Sequence, residues 1–345
     1  MSSNNLLSNT TNLQELLELA NSLPDKHTFP NGTEWTQSNI TSDDVGSVYN
    51  ANGIWVAGST DSTSDGSGLY YSTDGKTWTQ SNITSGRYHC VYNANGLWEA
   101  GSSDGYTFYS STDGKTWTAN SLVYKTVKCV YYANGLWVAG TSTGLYYSSD
   151  GMTWTQNNIT SGTFSSVYNT NGIWVAGSSS GGLYYSSDGM TWTTSNITSV
   201  RFSSVYNANG VWVAGSAPYS SKGLYYSSDG MTWTQSNITS GAASDVYNSN
   251  GLWVAGTSKG LYYSSDGMTW TQSNITSDYV VRVYNANGIW VAASTYGIHY
   301  SIDGIIWTQS NITSDYVRCV YNTNGIWVAG SSSGGLYYSV TWEPS

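Results

Sequence analysis

The sequence predicts an all-β fold, an eight-bladed β-propeller of four-stranded antiparallel blades, on three observations. The first is a tryptophan in an Asn-Gly-x-Trp phrase, repeated at Trp55, Trp98, Trp137, Trp174, Trp212, Trp253, Trp290 and Trp327. The second is a tryptophan in a Ser/Thr-Asp-Gly-x-Thr-Trp phrase at Trp78, Trp117, Trp154, Trp192, Trp233 and Trp270, degraded at Trp307 and anticipated by Asn-Gly-Thr-Glu-Trp35. Successive tryptophans of this second kind stand 43, 39, 37, 38, 41, 37 and 37 residues apart, a period that belongs to propellers and solenoids. The third observation concerns the ends. Eight complete sets of three strands exist, but only seven internal fourth strands follow them, and Trp35-Thr-Gln-Ser-Asn supplies the missing one. Closing the ring with that strand removes two open sheet edges. The C-terminal Val340-Thr-Trp342 competes for the slot without the Asp-Gly turn that should precede it. Rings of seven or nine blades and an open solenoid are the alternatives.

Unit 4 shows the strands. Ser166-Val-Tyr-Asn-Thr-Asn-Gly172 reads as strand a, Ile173 to Gly177 as b, Gly182 to Ser186 as c and Met190 to Thr193 as d. Each is rich in Val, Ile, Tyr, Trp or Thr and bounded by Gly, Asn, Asp or Ser. Asn-Gly closes the a–b hairpin because both residues accept a positive φ, and Ser-Asp-Gly closes c–d. Residues 31–345 thus form one repeat domain, and residues 1–30 stand apart. Charged residues are 9% of the chain and its net charge is −10, which argues against a nucleic-acid binder. The absence of an 18-residue apolar stretch argues against a membrane span. Met-Ser-Ser-Asn-Asn-Leu-Leu lacks a secretory signal.

The phrase Ser187-Asp188-Gly189-Met190-Thr191-Trp192 resembles the Asp-box (BNR) repeat, one residue shorter between Asp and Gly. The resemblance implies turns on the blade periphery, with Asp capping the turn and Trp packed between blades. It also embraces sialidases, other glycan-active enzymes and binding proteins. Asp74, Asp113, Asp150, Asp188, Asp229, Asp266 and Asp303 therefore read as turn residues bonding backbone N–H groups, and the tryptophans as packing. Cys90, Cys129 and Cys319 share one place, directly before Val-Tyr, and read as small buried residues. No phosphate loop, metal-binding spacing or nucleophile elbow occurs, so no cofactor or metal is expected. The Asn-Ile-Thr phrases match glycosylation acceptors, without meaning in a bacterial or viral chain.

Differences among near-identical units carry the functional reading. One variable segment joins strand d to the next strand a: residues 43–47, 86–90, 125–129, 162–166, 200–204, 241–245, 278–282 and 315–319. Its middle residue is apolar every time and should pack inward. The other is the b–c loop, long at 58–68 and carrying Pro218 and Tyr219 in unit 5. Both should emerge on one face. Eight of the eleven basic residues lie in or beside these segments, and binding residues concentrate on loops held by a scaffold. The candidate ligand-binding residues are Arg87, Tyr88, His89, Glu99, Asp104 and Tyr106 in unit 2, and Lys125 and Lys128 in unit 3. Arg201, Tyr219 and Lys222 in unit 5, Tyr279 and Arg282 in unit 7, and Tyr316 and Arg318 in unit 8 complete the set. Glu99 replaces an otherwise invariant Val among the units and needs a partner or a proton; Arg87, His89 and Lys128 are its candidate partners. His299, in place of a tyrosine in unit 7, reads as a packed residue.

Residues 11–24 read as a short amphipathic helix with Leu13, Leu16, Leu17, Ala20 and Leu23 on one face and Pro24 beyond its end. Leu-Gln-Glu-Leu-Leu-Glu-Leu-Ala-Asn-Ser-Leu-Pro resembles a leader of bacteriophage tail and fibre proteins, which implies anchoring to other virion proteins. The expected function is non-enzymatic recognition of a bacterial surface glycan, or another surface receptor, by a phage or prophage propeller. The corresponding location is the virion, or outside the host after lysis. A sialidase-like glycoside hydrolase and a purely structural decoration are the alternatives.

Overall fold

The computed structural model describes residues 32–61, 67–102, 108–122 and 125–340. They form eight separate four-stranded antiparallel sheets. Blade 1 runs Val45–Ala51 (a), Ile54–Ser59 (b), Leu69–Ser72 (c) and Thr79–Gln80 (d). Blade 8 runs Val317–Thr323, Ile326–Ser331 and Leu336–Ser339, and its d strand is Thr36–Gln37 from the other end of the chain. Thr36 pairs with Tyr338 and Gln37 with Tyr337. The inner strand of blade 1 packs against that of blade 8, so the ring is closed. The fourth slot of blade 8 belongs to the N-terminal strand. The amphipathic segment before residue 31, the C-terminal Thr-Trp, Asp104 and Tyr106 lie outside the described residues.

The turns obey their residue chemistry. At all eight a–b hairpins Asn has φ between 49° and 53° and the following Gly is also positive, the pair of conformations a type I′ turn requires. In every c–d turn the Asp carboxylate accepts two backbone N–H groups, as Asp74 Oδ1 does from Lys76 and Thr77 at 2.8 Å. Ser72 Oγ donates to the same oxygen and accepts from Gly75 N. For Asp150, the Thr153 N–H, then the Ser148 hydroxyl and the Met152 N–H, hold the carboxylate down to about 2. All seven aspartates are occupied in this way, at Asp113, Asp188, Asp229, Asp266 and Asp303 as well.

The core lies between blades. Each junction has its own apolar cluster, such as Val213, Leu224, Val246, Trp253, Ala255 and Trp270 between blades 5 and 6. The close approach explains a repeated glycine: a Cβ on Gly215 would collide with the Ala243 carbonyl of the next blade. Around the axis, Tyr49, Tyr92, Tyr131, Tyr168, Tyr206, Tyr247, Tyr284 and Tyr321 form a closed belt with neighbouring ring centroids 4.8 to 5.8 Å apart. Each also meets the b-strand tryptophan of the next blade edge-on, as Tyr49 meets Trp98, the favoured geometry of two quadrupoles.

A second device joins the blades at their outer edge. The asparagine of each Asn-Ile-Thr phrase clamps the d-strand tryptophan of the next blade: Asn237 Oδ1 accepts from Trp270 N, and its Nδ2 donates to Trp270 O, both at 2.8 Å. The clamp recurs from Asn39, Asn82, Asn158, Asn196 and Asn274. Asn311 clamps Trp35 across the closure. The amides that matched a glycosylation signal are therefore structural. Blade 2 breaks the series, because Ser121 stands in the asparagine's place and accepts one bond from Trp154 N.

Strands b and c of blade 4 fall within one residue of expectation, at Ile173–Ser178 and Leu183–Ser186, while a and d shift further. Strand d of blade 4 is Thr193–Thr194, because the residues from Met190 to Trp192 serve the Asp188 turn and the clamp. Strand a begins earlier, at Phe164 in blade 4, so three residues of each variable segment are strand. Every a strand then carries a β-bulge after its first residue.

Candidate functional site

The variable segments do share one face. In blade 1 and blades 3 to 8 the b–c connection donates a backbone N–H to the d–a connection of its own blade, as Ala217 N does to Arg201 O and Ser332 N to Tyr316 O. The bulge then decides what points where. The first strand residue, Val45 in blade 1 or Phe164 in blade 4, is wholly buried. The extra residue of the bulge is unpaired and turns toward the axis. In chain order these residues are Gly46, His89, Lys128 and Ser165, then Ser203, Ser244, Val281 and Arg318, and all eight line one cavity of about 280 Å³. Pro218, Tyr279, Arg282 and Tyr316 complete its wall. The tyrosine belt lies three residues further along the same strands, about 10 Å deeper at 3.3 Å per residue.

The residue after the bulge points into the blade junction. Ser47 Oγ donates to Tyr88 O, and the Cys129 and Cys319 thiols lie 3.8 Å from the carbonyls of Phe164 and Val45. All three cysteines are free. Burial pushes the Cys90 and Cys319 thiols up to about 12 and raises Cys129 as well. In blade 6 this residue is Asp245, whose carboxylate accepts from Val283 N at 3.0 Å. In blade 7 it is Arg282, which stays exposed and donates to Val281 O.

The mouth is electrostatically uneven. Lys128, Arg282 and Arg318 stand on blades 3, 7 and 8, whereas Ser165, Ser203 and Ser244 occupy blades 4 to 6. Arg318 Nε lies 2.8 Å from Asp44 Oδ1, an ion pair whose N–H is not aligned as a hydrogen bond, and its guanidinium sits over the Tyr316 ring. Burial first, and then the charges of Lys128, Arg318, Arg87 and Arg282, push His89 down to about 4. The imidazole is therefore neutral at ordinary pH, inside a positive field.

Six of the residues singled out from the sequence meet here: His89, Lys128, Tyr279, Arg282, Tyr316 and Arg318. Arg201 and Tyr219 sit on the outer rim, their side chains 5.9 Å apart as cation and ring, with Tyr219 89% exposed. Lys222, Arg87 and Lys125 are also outside the cavity wall, and Lys222 bridges the backbone to Gly241. Tyr88 is 2% exposed; it is the inward apolar residue of its segment, packed against Tyr109, and no ligand reaches it.

Glu99 lies elsewhere, and none of its proposed cationic partners reaches it. It is 0% exposed, with Oε2 accepting from Ser110 Oγ at 2.9 Å and Asn120 Nδ2 at 3.4 Å. Ser110 replaces a tyrosine of other blades and leaves the space the carboxyl fills. Oε1 has no hydrogen-bond partner and faces the Gly151 turn of blade 3. Burial raises its pKa well above the carboxylate range, so it is a neutral acid in a blade junction. His299 is likewise packed: its Nε2 lies 2.9 Å from Asp278 Oδ2, which also binds Ser294.

No family model matches the chain, and no curated protein matches its sequence. Solved structures do match its shape. The chain is an eight-bladed propeller. It is similar to the computationally designed Ika8 protein, with a TM-score of 0.69 and 12% identity over 90% of this chain and 100% of that one. Sqt1 from Chaetomium thermophilum aligns with a TM-score of 0.67 and 12% identity over 90% and 98% of the two chains. YCF48 bound to the D1 peptide aligns at 0.57 and 14% over 90% and 96%. At these identities the likeness speaks for the fold alone.

Proposed function

We propose that this chain is a non-enzymatic recognition module that receives its ligand in the mouth of the central channel. One observation carries the reading. Eight inner strands of nearly constant sequence each deliver one variable residue to a single cavity, which is where a repeated scaffold can diversify without loss of packing. The glycan of a bacterial surface, met by a phage or prophage particle that displays this propeller, is the ligand and setting proposed. Tyr279 and Tyr316 offer faces for a sugar ring, and serine hydroxyls with guanidinium groups offer directional bonds beside them. The Ser-x-Asp-Gly turns and the leader-like first residues support that setting.

A sialidase mechanism finds little support. Of four arginines only Arg282 and Arg318 border the cavity, and Glu99 is sealed in a junction. The test is a glycan array probed with the intact chain, paired with incubation on sialyl-lactose while released sugar is measured. Binding without turnover is the expected result. Released sugar would replace the module with an enzyme, and binding to peptides but no glycan would move the ligand to another class.

A further inference from the structure

Resting on the recognition reading, we infer that the mouth is a site for an anion, a single carboxylate or phosphate group gripped on the axis between Lys128 and Arg282. The geometry of an eight-membered ring puts blade 3 directly opposite blade 7, so these two cations face each other across the cavity. Arg318, one blade further on, presents its Nε edge to Asp44 and keeps its two terminal amino groups for a ligand. A guanidinium used this way still offers a planar pair of donors to a carboxylate or phosphate. Lys128 has no carboxylate partner among the described residues. The opposite arc supplies a neutral donor, Ser165, while Ser203 donates to Ala243 O and leaves its oxygen as an acceptor.

The charge pattern is specific to this place. The chain carries a net −10, yet the charges that act most strongly on His89 at the cavity wall are the cations Lys128, Arg318, Arg87 and Arg282. A low-dielectric concavity lined by one sign of charge focuses the field and draws in the opposite one. Two carboxylates are near: Asp44 is engaged by Arg318, and Asp245 lies in the field of Arg282 and accepts the Val283 N–H. The size also limits the ligand. A cavity of about 280 Å³ holds roughly nine waters at about 30 Å³ each, enough for one acidic sugar residue entering end-on.

The test titrates the full chain at low salt with sodium galacturonate, inorganic phosphate and neutral galactose, reading heat of binding and shift of the unfolding midpoint. Wild type should bind an anion in preference to galactose. Lys128→Ala and Arg282→Ala should each weaken that binding about tenfold or more, the loss expected when a hydrogen bond to a charged group goes. Lys115→Ala, on the opposite face over Tyr71, should bind as wild type does. Circular dichroism and the ligand-free midpoint verify that each variant folds. A preference for galacturonate assigns a carboxylated sugar, and one for phosphate a phosphorylated polymer. Equal binding by wild type and both mouth variants, or no anion binding at all, overturns the inference. Neutral glycans captured on the array without anion binding would leave the recognition reading standing and remove only this site. Anion binding without any glycan captured would do the reverse.

Discussion

Removing the indole of Trp35 should open the ring. This side chain is 4% exposed and packs with Ile298, Val317, Trp327 and Ala329 between blades 7 and 8. Its indole N–H donates to Gly32 O, and Asn311 clamps its backbone on both sides. A buried indole covers about 200 Å², so at about 25 cal/mol per Å² its transfer is worth roughly 5 kcal/mol. Large-to-small replacement at such a site costs about 3–5 kcal/mol, and that is the loss expected for Trp35→Ala. Asn311→Ala should cost about 2 kcal/mol, about one for each hydrogen bond. The double variant should fall short of the sum, because both changes act on one strand. Urea unfolding followed by tryptophan fluorescence measures the totals. Amide exchange at Tyr337 and Tyr338, which pair with the closing strand, localises them. A Trp35→Ala loss under about 1 kcal/mol with unchanged protection at Tyr337 and Tyr338 would mean that the N-terminal strand does not seal blade 8.

Glu99→Gln should match wild type below about pH 4 and exceed it progressively above. The folded carboxyl keeps its proton while the unfolded one, with an ordinary value near 4.5, releases it. Wild-type stability therefore falls with rising pH by about 1.4 kcal/mol per unit until the buried group ionises, and the midpoint measured from pH 4 to 8 tests the slope. A disulfide-exchange reagent at pH 8 should leave Cys90 and Cys319 unmodified in the fold, since burial holds both thiols near 12, and should modify all three cysteines in denaturant. Ser121→Asn restores the clamp that blade 2 lacks, and should raise the urea midpoint by an increment worth up to about 1 kcal/mol. An unchanged or lower midpoint would show that the replacement at 120 and 122 has already reset this junction.

The sequence alone carried the period, the eight hairpins, the structural duty of seven aspartates, the sealing strand and the confinement of variety to one face. These are legible because each depends on local chemistry: Asn and Gly accept positive φ, Asp bonds the N–H groups just ahead of it, and strand alternation is a matter of neighbours. The inward apolar residue at Val45, Tyr88 or Phe202 was readable for the same reason, although its burial removes Tyr88 from any ligand. The axial ring was not readable. A β-bulge shifts the side-chain phase by one residue, so His89, Lys128 and Arg318 reach the axis while Cys90, Cys129 and Cys319 turn into the junctions, and nothing in the pentapeptides marks that shift. Glu99 and the asparagine clamps were hidden for a related reason. Glu99 finds Ser110 and Asn120, 11 and 21 positions further on, only through the pairing of its own blade, and each clamp joins an asparagine to the next blade's tryptophan more than thirty positions away, which come together only once the ring exists.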